Sequence, residues 1–176
     1  LGHLRFGAAP LPHALVLPQL LGDMLREHTG ITLSAVSGSL TSLMQQLLHD
    51  HIEFFLCAEV RLVRDTMIRT TPLFQAKLAW LARADHPLAH KSALTAADLA
   101  AYPLACVRSD FNPMQDGTPD ILLDVPVTLG FDDYTIALAA LPRCDAICLS
   151  SRALLPAHPG LVALDLAEDE IATGVN

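Results

Sequence analysis

No stretch of this 176-residue chain is apolar for long enough to cross a membrane, although 52% of its residues are hydrophobic. The longest candidates are cut by Pro18, Asp23 and Arg26, or by Lys77 and Arg83, which excludes a helical membrane protein and a membrane partner. Positive charge is also scarce. Eleven Lys and Arg face nineteen Asp and Glu, for a formal charge of −8, and only Arg61, Arg64 and Arg69 are loosely grouped. Gripping a nucleic-acid backbone needs a concentrated basic face, so this segment is not a nucleic-acid binder. A charged leader with an apolar core is missing too, and the chain starts at Leu1, so a fragment of a longer protein is expected. There is no Gly-x-Ser-x-Gly elbow, no phosphate-binding glycine loop and no paired metal-ligand motif, which leaves no catalytic residue, metal site or cofactor to name. Four cysteines, at 57, 106, 144 and 148, sit mostly inside apolar runs. Such thiols behave as small buried hydrophobes in a reducing compartment, so the expected location is the cytoplasm.

What is present is alternation between two periods. Leu4, Phe6 and Ala8 alternate with Arg5 and Gly7, the mark of a strand, which ends in Ala9-Pro10-Leu11-Pro12. Leu17, Leu20, Leu21, Met24 and Leu25 then share one helix face, with Pro18 in the first turn and Gly30 as the stop. A strand over 31–36, a helix over 40–50 and a nearly all-apolar strand over 54–58 complete a β-α-β-α-β order. That order predicts a parallel sheet covered on both faces. The second half reads as extended segments at 67–73 and 76–82, then a helix opened by the capping box Thr95-Ala96-Ala97-Asp98. Strands follow at 104–107, 125–131 and 146–149, with a loop over 108–120 and a helix over 134–141. No Gly/Ser linker and no short repeat divides the chain.

The junction Ser37-Gly38-Ser39-Leu40 is the strongest local signal, because there a strand period of two gives way to a helix period. Glycine lets a ligand approach the backbone, and the first amides of a helix point outward toward an anion. The same serine is a favoured helix cap with no ligand at all. Both readings stand on these residues alone.

Several phrases recur in this order in one family: Leu4-Arg5-Phe6-Gly7, Leu17-Pro18-Gln19-Leu20-Leu21, the Ser-Gly-Ser junction and His86-Pro87-Leu88-Ala89. Asp98-Leu99 before Tyr102-Pro103-Leu104, and Asp133-Tyr134 leading into Ile147-Cys148-Leu149, match as well. The chain resembles the effector-binding domain of LysR-type transcriptional regulators. The resemblance implies an α/β fold like the type 2 periplasmic binding proteins, with two Rossmann-like lobes and a ligand cleft between them. Lobe one takes residues 1–73 plus 150–176, and lobe two takes 74–149. It implies a small-molecule effector, expected to be a small organic or aromatic acid. Ala8, Ala9, Pro10, Ser37, Gly38, Ser39, Leu40 and Ala58, beside Glu59, would line the cleft from lobe one, and Phe111, Gly130 and Phe131 from lobe two. It further implies a homodimer or homotetramer, with Val16 and Met24 on the helix that packs against a partner copy. DNA would be touched only through an N-terminal winged helix-turn-helix domain that this chain lacks. Two departures stand out: Cys144-Asp145-Ala146 where the family often has a Gly-x-Gly step, and Ser151 where it commonly has proline.

Other readings compete at single residues. His13 is either a contact for an acidic effector or a loop histidine. Cys144 and Cys148 have the spacing of ligands on a helical turn, but only His158 follows, so zinc is not expected. A Cys-His pair, such as Cys57 with His13 or His86, would suit a small α/β enzyme, and a transporter's solute-binding protein would share the fold. The regulator reading is preferred, with no catalytic step.

Overall fold

A computed structural model describes residues 2–58, 68–107 and 127–166, and the backbone of 172–175. The chain divides into two compact units, Leu1–Phe74 with Gly174–Asn176, and Gln75–Thr173.

The first unit is built on β1 (Gly2–Ala8), whose last three residues are buried. It lies between β2 (Ile31–Ser37) and β3 (Phe54–Leu56) in a parallel sheet of order β2-β1-β3. Phe6 pairs with Ala35 on one side and Phe54 on the other. Alternation sends Phe6 and Ala8 to one face, where they pack with Leu17 and Leu56, flanked by Val16, Leu20 and Leu21. All of these partners but Leu56 belong to α2 (Leu17–Glu27) and its lead-in. The opposite face is covered by α3 (Leu40–Leu48), which brings Leu43 against Ala9, Ile52 and Cys57. This double cover explains why the polar half of β1's alternation stops at Arg5, whose guanidinium binds the Glu53 carboxylate at 2.7 and 3.0 Å beside β3.

Three local readings change. Ala9-Pro10-Leu11-Pro12 is not a plain turn but the entry to a short helix, α1 (Pro10–Leu15), with proline at its first position. A missing amide hydrogen costs nothing there, because the first amides of a helix have no partner in it. Gly30 does not stop α2, which ends at Glu27 with His28 as its cap. Leu25, placed by spacing on the buried face, is 63% exposed.

The second unit carries a sheet of order β6-β5-β7-β4-β8, with a last strand, β9 (Ala172–Val175), also on β4. Its strands are β4 (Phe74–Arg83), β5 (Leu104–Val107), β6 (Val127–Phe131), β7 (Ile147–Ser151) and β8 (Leu161–Ala163). β5 runs parallel to both neighbours, whereas β4 is antiparallel to β7 and β8. Two helices, α4 (Ala96–Ala100) and α5 (Tyr134–Ala140), belong to it. Its core gathers Trp80, Ala82, Leu88, Leu94, Leu99, Leu104, Ile147 and Leu164. The extended segment read at 67–73 is absent over 68–73, where Pro72 has no amide to give a ladder, and β4 starts at Phe74. The chain beyond 150 does not return to the first unit at that point. β8 pairs with β4 through Leu81, Ala82 and Arg83, and the Leu164 amide bonds the Trp80 carbonyl at 2.8 Å, so these residues stay in the second unit.

The His86-Pro87-Leu88 phrase has a structural role. His86 is fully buried, its ring 4.5 Å from that of Tyr102. Nδ1 accepts from the Leu88 amide at 3.1 Å, which leaves the proton on Nε2 to donate to the Asp145 carbonyl at 3.2 Å. Arg83 bridges to the Asp145 carboxylate at 2.7 Å alongside.

The capping box read from sequence forms in full: Thr95 Oγ1 accepts from the Asp98 amide, and the Asp98 carboxylate accepts from the Thr95 amide at 3.0 Å. Lys91 adds a bond at 2.7 Å, and these donors hold the Asp98 carboxyl down at about 2, from an ordinary 3.8. A carboxyl depressed in the folded state stabilises above its unfolded value and loses that contribution as pH falls through its folded one. Asp98→Asn is therefore expected to be less stable than wild type at pH 7, with the gap closing between about pH 4 and pH 2 in urea titrations.

Candidate functional site

The carboxyl ends of parallel strands are where an α/β sheet presents its loops and helix starts to a ligand. In the first unit β1 and β2 end side by side, with Ala8 opposite Ser37. The Gly38 amide donates to the Ala8 carbonyl at 3.4 Å, and the Ala9 amide donates to the Leu56 carbonyl at 2.8 Å. Three strand ends are thereby tied into one rim. Ser39 is the N-cap of α3, with extended backbone, and its Oγ accepts from the Ser42 amide at 3.1 Å. The Ser39 carbonyl takes the Leu43 amide at 2.9 Å. The cap reading of Ser39 holds. The hydroxyl satisfies one amide of the first turn, while the Leu40 amide before it has no acceptor among the described residues. A helix start of this kind carries partial positive charge and suits a small anion.

The proposed lining residues divide by exposure. Ala8 is fully buried, Ala9 and Pro10 nearly so, and the Leu40 side chain packs with Leu43 and Ile52 in the core. Their contribution is backbone and shape. Ser37, Gly38 and Ser39 reach the surface, and Ala58 follows β3 in a half-buried position. Phe111 and Glu59 lie outside the described residues. In the second unit Gly130 and Phe131 end β6, paired with Cys106 and Val107. Phe131 is only 5% exposed, and its ring meets Tyr134 edge-on at 5.6 Å. The expected open aromatic wall is therefore a packed pair, closed further by the Tyr134 hydroxyl on the Leu149 carbonyl at 3.3 Å.

The competing chemistry finds little support. Burial pushes the Cys57 and Cys106 thiols above their ordinary value and Cys148 up to about 12, so none is a ready thiolate at neutral pH. Cys148 lies inside β7 while Cys144 follows a 3-10 turn at the surface, so they do not share a helical turn. His13 sits in α1, half-buried, rather than in a loop.

The family model for the LysR substrate binding domain matches residues 1–175. This chain belongs to that family. Among curated LysR-type relatives, the SDS degradation transcriptional activation protein of a Pseudomonas species is 42% identical over 107 residues, covering 59% of this chain and 35% of that protein. The chain spans about a third of the length of the curated relatives it matches. Among solved structures, the reduced OxyR regulatory domain of Pseudomonas aeruginosa superposes with a TM-score of 0.78 at 16% identity, covering 99% of this chain and 84% of that one. The effector binding domain of QuiR in complex with shikimate gives 0.73 at 18% identity, covering 99% and 85%. These likenesses establish the LysR domain fold, of the type 2 periplasmic-binding-protein kind.

Gly7 lies within β1, close to Leu43 of α3. In the sequence Gly7 fits the strand alternation, and a glycine inside a strand is itself a sign of close approach from the next layer. Removing the cap hydroxyl should be felt at once: Ser39→Ala is expected to lower folding stability by about 1 kcal/mol, measured by urea unfolding.

Proposed function

We propose that this chain is the ligand-sensing domain of a LysR-type transcriptional regulator and that its effector is a small organic anion held at the start of α3. The observation that carries the reading is the rim of Ala9, Gly38 and Ser39, where a capped helix start meets the ends of parallel strands inside a LysR substrate binding domain. In this reading the rim binds its ligand without turning it over, in keeping with membership of a regulator family. Family membership favours this reading over a transporter's solute-binding protein.

The parent protein acts in the cytoplasm as a homo-oligomer, and its DNA contacts come from an N-terminal winged helix-turn-helix domain. The effector controls those contacts only if it binds one arrangement of the protein better than another; equal affinity for both shifts nothing. Carboxylates and sulfate esters both supply such an anion, and the relative named for SDS degradation makes an alkyl sulfate a necessary probe.

A thermal-shift series with acetate, benzoate, shikimate and hexyl sulfate tests this. A bound anion at a hundredfold excess over its dissociation constant adds roughly 2.7 kcal/mol of stability. Ser39→Asp is the informative variant, because aspartate caps a helix as well as serine does but places a negative charge where the anion would sit. Wild-type stability with the anion response abolished is the expected result. An unchanged response in Ser39→Asp would remove the α3 start from the site.

A further inference from the structure

Gly7 lies inside β1, and the space beside it is already filled. A Cβ at that position would stand 2.5 Å from Leu43 Cδ2, 3.2 Å from Ile52 Cδ1 and 3.2 Å from Phe55 Cβ. The same Leu43 methyl lies 3.6 Å from where a Cβ on Gly38 would be. Leu43 is therefore wedged between a glycine of the central strand and the glycine that precedes the helix cap. It is fully buried among Ala9, Ile52 and Cys57, with Val36, Leu47 and Phe55 around them. Its backbone amide is bonded to the Ser39 carbonyl at 2.9 Å, so Leu43 is part of the first turn of α3.

We propose that Gly7 is a positioning residue for the effector rim: the missing side chain lets Leu43 seat directly on β1, and this seat sets where the Gly38–Leu40 backbone stands relative to Ala9. The inference rests on the reading that the effector binds at the start of α3. Interiors are packed too closely to absorb a methyl group at that distance, so an added Cβ moves Leu43 and the helix turn bonded to Ser39 with it. A site displaced by a fraction of an ångström to an ångström binds more weakly while the protein stays folded. Shortening Leu43 opens the space that an alanine at position 7 needs, which makes the pair reciprocal.

The test compares wild type, Gly7→Ala, Leu43→Ala and Gly7→Ala/Leu43→Ala at a temperature where each is folded. Benzoate, shikimate and hexyl sulfate are titrated by calorimetry, and Cys57 alkylation is followed by mass spectrometry as a probe-free report on the same packing cluster. Gly7→Ala is expected to bind roughly tenfold more weakly and to expose Cys57 to faster alkylation, and the double variant to recover most of both. Wild-type affinity in Gly7→Ala would overturn the positioning role while leaving the effector reading intact, as would a folded double variant no better than the single one. Should Gly7→Ala fail to fold, the double variant decides: binding at least as tight as Leu43→Ala supports the wedge, and weaker binding overturns it. If no probe binds wild type, the effector reading falls, and Cys57 judges the wedge alone: unchanged alkylation in Gly7→Ala overturns it, and faster alkylation reversed in the double variant upholds it.

Discussion

The first unit depends on the burial of β1 from both sides. Phe6 and Ala8 meet α2 on one face, and the α3 layer closes on the other, so both helices are held against the same short strand. Because each helix follows a strand of the same parallel sheet, the starts of α1 and α3 lie at the carboxyl edge. The rim is a product of that arrangement: Ala9, Gly38 and the end of β3 are joined there by backbone bonds, with few side chains involved. Charge contributes elsewhere, at Arg5 and Glu53, where exposure to water limits what the pair adds to stability.

The second unit solves a different problem. Its sheet mixes parallel and antiparallel neighbours, and β4 is the long strand on which β7 and β8 assemble in opposite senses to it. A buried histidine is tolerable in such a core only when both ring nitrogens are occupied, and His86 meets that condition through Leu88 and Asp145. The Thr95 capping box gives α4, five residues long, a start that its length alone would not supply.

Periodicity made most of the elements legible. The strands at 2–8, 31–37 and 104–107, the helices after Leu17, Leu40 and Tyr134 and the Thr95 box all carry local signals strong enough to survive packing. What was missed has a tertiary origin. Two prolines disguised α1, because proline suits a helix only in its first turn and otherwise reads as a breaker. Leu25 fits the apolar stripe of α2 but is 63% exposed and is not among the residues packed on Phe6 and Ala8. β8 is short, and nothing in Leu161-Val162-Ala163 announces that it pairs with β4 and keeps the later chain in the second unit. At the rim, the chemistry of Gly38 and Ser39 announced a helix start, and Ser39 is the N-cap of α3. The sequence also offered Phe131 as open surface, and the edge-on contact with Tyr134 that buries it depends on two rings brought together only by the fold.

Trp80 is the only tryptophan in the chain, and it lies at 1% exposure in the core of the second unit. Its indole emission is therefore a native label on the packing of that unit's core. A small molecule that alters this emission has changed the surroundings of Trp80. The amplitude of that change reports on the packing of the second unit with no dye attached and no residue replaced.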